Sequence, residues 1–159
     1  MLGQAKLQLE NFFNNTVFLS ALFSWFSAQL IKTIINLLKN RIRSIRDLFS
    51  LLFWRTGGMP SSHSALVISI CTAIGIRNGI DSDLFILSFA FSLVVMRDAV
   101  GVRRASGIQA KTLNELGKKL ESKELLDFKP VKEINGHKPI EVIMGAFLGF
   151  FIGLAFSIL

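Results

Sequence analysis

Apolar residues gather into four blocks along the chain, separated by charged connections. The first runs from Thr16 to Leu38, interrupted only by Gln29, Lys32 and Asn36. At ~1.5 Å of rise per residue it is long enough to cross a ~30 Å hydrocarbon core. The second, Ala65 to Ile76, gains length when extended back through Ser61, Ser62, His63 and Ser64, where a Gly-Gly-Met-Pro turn opens it. The third, Leu84 to Met96, is shorter than a comfortable span and ends in Arg97 and Asp98. It reads either as a crossing completed by its flanks or as a re-entrant helix buried in protein. The fourth, Pro139 to Leu159, carries Gly145, Gly149 and Gly153 at four-residue spacing, a smooth stripe suited to close packing against another helix.

Between the third and fourth blocks, Ile108, Leu113, Leu116 and Leu120 recur at roughly helical spacing among Lys111, Lys118 and Lys119. That is the pattern of an amphipathic, interfacial helix. The expected organisation is a single domain with membrane helices over about 16–38, 61–78, 83–100 and 139–159, an amphipathic helix over about 104–121 and a loop over 122–138. The fold class that follows is all-α, an integral membrane bundle of about four membrane helices plus the interfacial one.

Composition strengthens this reading. The 159 residues are 51% hydrophobic and 18% charged, with 15 Phe and no Tyr, which excludes a disordered, solvated chain and makes the bilayer the expected solvent. The leader before the first block holds Lys6 and Glu10 and no cleavage pattern follows the block, so the segment is expected to stay in the mature protein. The single cysteine, Cys71, removes a disulfide framework and any multi-cysteine zinc site and suits a small buried apolar position. No metal or cofactor is expected.

The net charge of +7 would suit nucleic acid, anionic lipid or a phosphate-bearing substrate. Distribution decides, because the basic residues sit in the gaps between apolar blocks rather than along an aromatic-interleaved face, and no nucleic-acid partner is expected. Lys39, Arg41, Arg43, Arg46 and Arg55 lie between blocks one and two, and ten Lys or Arg from Arg97 to Lys138 lie between blocks three and four. If all four blocks cross, the positive-inside rule places both connections in the cytoplasm, in a cytoplasmic membrane with the polar machinery on that side.

Gly57-Gly58-Met59-Pro60-Ser61-Ser62-His63-Ser64 is a tight turn feeding a helix start rich in hydroxyls, backbone N–H groups and an imidazole, a natural anion site. The plainer alternative is that Ser61 or Ser62 merely caps the helix. His137 stands just ahead of Pro139 at the next polar helix start, with Glu141 in the first turn, where a carboxylate also suits the positive helix end. The chain has only these two histidines. As a pair, one imidazole backed by a carboxylate can act as a nucleophile and the other can supply a proton near neutral pH. Lys32, Arg103 and Arg104 are the cations available for phosphoryl oxygens. Alternatively Lys32 anchors its helix at the interface, and the arginines anchor theirs with Asp98 as ion-pair partner.

Gly58-Met59-Pro60-Ser61-Ser62-His63-Ser64-Ala65, Asp98-Ala99-Val100-Gly101-Val102-Arg103-Arg104 and Gly136-His137-Lys138-Pro139-Ile140-Glu141-Val142 resemble the three signatures of the divergent type 2 phosphatidic acid phosphatase family. These are small membrane proteins related to acid phosphatases and vanadium-dependent haloperoxidases. The wider group's patterns, K-x6-R-P, P-S-G-H and S-R-x5-H-x3-D, imply a metal-independent phosphatase with a phosphohistidine intermediate. By that resemblance His137 is the nucleophile, Glu141 orients it, His63 is the general acid, Ser61 and backbone amides bind phosphate, and Lys32 is the leading lysine. Ser62 stands in place of the motif's glycine, Glu141 in place of aspartate, Lys39-Asn40 in place of Arg-Pro, and Val131 where the third motif has arginine. Arg103 or Arg104 is expected to supply the missing guanidinium. The function this implies is hydrolysis of a lipid phosphate or diphosphate. The alternatives are a non-catalytic lipid-phosphate binder or transporter and a purely structural membrane protein, and the glycine stripe leaves a homodimer open.

Overall fold

A computed structural model describes residues 1–39, 44, 58–133 and 136–159. Arg41, Arg43, Arg46 and Arg55 of the first basic connection lie outside the described residues, as does Asn40. Within them the chain is all-helical: α1 Leu2–Phe13, α2 Thr16–Leu38, α3 Ser62–Asn78, α4 Asp83–Val100, α5 Val102–Glu121 and α6 Pro139–Ile158. α2, the nearly continuous α4–α5 run Asp83–Glu121, and α6 are each long and apolar enough to cross a membrane. The protein is a helical membrane bundle.

α3, 17 residues long, packs against α2, α4 and α6 at the centre of the bundle. Eight of its residues are buried, among them Ser64, Ala65, Ser69, Cys71 and Ala73. A helix wrapped in protein need not present large apolar side chains to lipid, which explains why the central helix is small and polar in composition. α4 is its opposite: only Ser92 and Ala99 are buried, while Leu87, Phe91 and Val94 face outward. The Ser92 hydroxyl ties it to α3, its proton shared between Val67 O of α3 at 3.1 Å and Ser88 O of its own helix at 2.8 Å.

Glycine sets the closest contact. Gly145, Gly149 and Gly153 of α6 are buried and lie against the α3 backbone at Ser61, Ala65 and Ser69. A Cβ at Gly153 would meet Ser69 O at 2.7 Å, so the stripe is filled from within the same chain and is not an open face for a second copy.

The leader, for which the apolar pattern predicts no element, forms α1. Phe12 and Phe18 approach to 4.4 Å between ring centroids, folding α1 onto the start of α2. α5 begins just after the bend at Gly101, slightly earlier than expected, placing Arg103 and Arg104 in its first turn. The following segment is not free: Asn114 donates to Val131 O and accepts from Val131 N, both at 2.9 Å, and Phe128 covers Gly117. The chain therefore doubles back along α5 before reaching His137.

Candidate functional site

α2 carries one polar face into the bundle. Gln29, Lys32 and Thr33 are buried, and Lys32 is only 1% exposed. Its ammonium donates to Gln29 Oε1 at 3.1 Å, one of three donors that a lysine offers. Asn36 Nδ2 donates to Lys32 O at 2.8 Å, fixing the turn that carries it. Gly58, in the left-handed region with φ +88°, lies over the aliphatic stem, a Cβ there falling 3.7 Å from Lys32 Cγ. A charge this deep belongs with an anion, and Glu141 is the opposite charge within its electrostatic reach.

The starts of α3 and α6 are tied together. Ser61 N donates to Glu141 O at 2.8 Å. Ser61 caps α3, its Oγ accepting from Ser64 N at 3.4 Å and from Ser64 Oγ at 3.0 Å, which leaves its own O–H to donate elsewhere. Ser62 is buried beside it and Pro60 closes the turn. The amides of Ser62 and His63 head the helix with no intrahelical carbonyl to meet. His63 projects outward and is exposed, within electrostatic reach of Arg103, Lys32 and Asp98.

His137 reaches the same place by another route. Its backbone N donates to Ala99 O at 3.2 Å, and Gly136 sits directly on the Arg104 backbone, so the loop docks on the α4–α5 bend. The imidazole is 3% exposed, and neither ring nitrogen has a hydrogen-bond partner among the described residues. Burial holds it below its ordinary value, the Lys32, His63 and Arg103 charges push the same way, and Glu141 opposes them. The ring is therefore neutral at neutral pH, the form in which imidazole is a nucleophile.

The structure thus gathers Lys32, Ser61, His63, His137, Glu141, Arg103 and Asp98 at one end of the bundle. Two arrangements depart from the roles implied by sequence. Glu141 Oε2 accepts the Lys138 N–H at 3.1 Å, as a helix-start cap, and makes no hydrogen bond to the imidazole. Of the two arginines, Arg103 acts on both histidines and is ion-paired to Asp98, whereas Arg104 lends its backbone to the Gly136 contact. Val131, standing where the third motif has arginine, is engaged through its backbone by Asn114. Asn114 and Gly117 carry no chemistry of their own in the sequence, although an Asn and a Gly inside an amphipathic helix are residue types that can accept a returning chain. Among the described residues no three His, Cys, Asp or Glu side chains converge as a metal set would.

A family model described as the Divergent PAP2 family matches residues 13–152. A curated relative, the uncharacterized membrane protein YuiD of Bacillus subtilis (strain 168), is 38% identical, the alignment covering 90% of this chain and 94% of that protein. No solved structure matches significantly.

Proposed function

The chain belongs to the Divergent PAP2 family, and from that starting point we propose that it is a membrane phosphatase hydrolysing a lipid phosphate or diphosphate through a phosphohistidine on His137. The observation that carries this reading is His137 itself, a buried, neutral imidazole beside a buried lysine, with neither nitrogen partnered among the described residues. Leaving a buried polar group unsatisfied costs on the order of 1–3 kcal/mol, and a bound phosphoryl group is a partner that would meet it.

In the proposed reaction, one ring nitrogen of His137 attacks the terminal phosphorus, and the bond from that phosphorus to the leaving oxygen breaks, the lipid oxygen of a monophosphate or the bridging oxygen of a diphosphate. His63, taking up a proton as the anionic phosphate settles beside it, gives that proton to the leaving oxygen. Water then attacks the phosphohistidine, His63 takes up the water's proton, and inorganic phosphate leaves. Lys32, Arg103, Ser61 and the amides heading α3 hold the equatorial oxygens. Asp98 positions Arg103, while Gly58 and Pro60 shape the turn over Lys32.

One observation favours the second reading, a lipid-phosphate binder or carrier without turnover. The Glu141 carboxylate caps α6 rather than bracing the imidazole, and Val131 brings no guanidinium. The deciding experiment is phosphate release by purified protein in detergent from a panel of isoprenoid and glycerolipid phosphates without added metal. Release that disappears in His137→Ala and falls about 10²-fold or more in His63→Ala supports the mechanism. Undetectable release with saturable, phosphate-dependent lipid binding supports the carrier.

A further inference from the structure

An apolar groove of about 310 Å³ runs beside the polar site, between α2 and α6. Ile31, Ile35, Met59, Met144, Phe147 and Phe151 are among its lining side chains, and every lining residue among the described ones is apolar. Its size is at the lower end of the range for small-molecule sites. Several of these side chains are open to the surroundings, Phe147 at 57% and Phe151 at 60% exposed, on a helix long and apolar enough to lie in lipid. The groove therefore opens sideways to the bilayer.

Its upper end is continuous with the site. Met59 and Pro60 line it and lead directly into Ser61, the cap of α3. Ile31 and Ile35 flank Lys32 along α2, and Met144 follows Glu141 by one turn of α6. From Met144 to Phe151 the groove descends about 10 Å along the helix axis. A molecule whose phosphate met Lys32, Ser61 and the imidazole of His137 would have its next atoms toward Met59 and Met144. Among the described residues no polar side chain lines the path to help a soluble alcohol there, whereas a hydrocarbon chain would lose water or lipid contact only to regain apolar contact. The two methionines, unbranched and polarizable, suit a chain of variable shape.

We infer that this groove seats the hydrocarbon chain of an amphiphilic phosphate ester that enters sideways from the bilayer with its phosphate at the His137 end. The inference rests on the phosphate-ester reading of the polar site and adds which residues of this chain select the tail. An ordinary membrane lipid resting against α6 is the competing occupant, and it would require no phosphate.

The test uses purified full-length protein in detergent and a long-chain alkyl phosphate with a photoactivatable diazirine near the head of its chain, mapped by mass spectrometry. Labelling is expected on Ile31, Ile35, Met144 and Phe147. Excess unlabelled alkyl phosphate should lower it about tenfold or more, and the matching alkyl alcohol should not. Met144→Trp, filling the groove, should lower labelling, as should the milder Ile35→Phe should the first variant fold poorly; Leu87→Trp, on the outer face of α4, should not. Labelling spread equally over α4 and α6, labelling displaced by the alcohol as well as the phosphate, or labelling unaffected by either groove variant would overturn the proposal. Phosphate release measured in the same samples separates the two readings. Competitive groove labelling without release leaves the groove standing and removes hydrolysis, whereas release without groove labelling does the reverse.

Discussion

Replacing Gly149 with alanine tests the packing on which the site depends. The added methyl would point into the α3 backbone, overlapping Ala65 O and lying 2.9 Å from Ala65 C and Cα, where ordinary contact begins at 3.4 Å. Backbone cannot rotate away as a side chain can, so the helices must part by at least about 0.5 Å on the carbon contacts alone. Overpacking of this kind costs about 1–3 kcal/mol, against at most about 1 kcal/mol returned by alanine's better helix propensity. Separation would also strain the bond from Ser61 N to Glu141 O, 2.8 Å long, that joins the two helix starts at the site. Gly3→Ala is the internal control, since a Cβ there meets nothing within 4 Å. Reversible denaturation in mixed detergent is expected to rank Gly3→Ala at or above wild type and Gly149→Ala below it by about 1–2 kcal/mol. A Gly149→Ala protein as stable as Gly3→Ala would refute the close α3–α6 approach and the placement of the site that follows from it.

Asn114→Ala leaves Val131 N and O without their partner, so it should cost about 1–3 kcal/mol locally. Hydrogen exchange at the Val131 amide should accelerate while α3 amides stay protected, and uniform acceleration would count against a local clasp. Ser92→Ala removes the hydroxyl tie to Val67 O and should cost only about 0.6 kcal/mol, the scale of interhelical hydrogen bonds in membranes; the same denaturation assay reads it. Because burial holds His137 below its ordinary 6.5, the unfolded chain takes up that proton first as pH falls. Its contribution to stability is therefore complete above about 6.5 and is lost progressively below, toward the lower folded value. Melting temperature followed from pH 8 to pH 5 should decline less in His137→Gln than in wild type, and parallel curves would contradict the depressed value.

The apolar periodicity by itself determined the class of this protein, because burying long apolar runs in lipid is demanded by composition whatever the partners are. It also exposed the exceptions that mark the site: a lysine within an apolar helix, two histidines at polar helix starts, and a glycine stripe whose spacing already implied a close neighbour. Identity of that neighbour was not in the pattern. Only the tertiary structure decided that the stripe meets α3 of the same chain, since any second helix with small residues would satisfy the same spacing. The role of Glu141 was likewise open in sequence, where a carboxylate three residues into a helix can cap it or brace a nearby imidazole. Geometry put it on the Lys138 N–H. The choice between Arg103 and Arg104, adjacent and chemically alike, rested on the direction in which the bend at Gly101 turned α5. Asn114 and Gly117 acquired a purpose only when the chain returned across them, a contact between residues too far apart in sequence for any local period to record. Long-range contacts form where burial of one surface finds another of matching shape, and that matching is a property of the folded molecule.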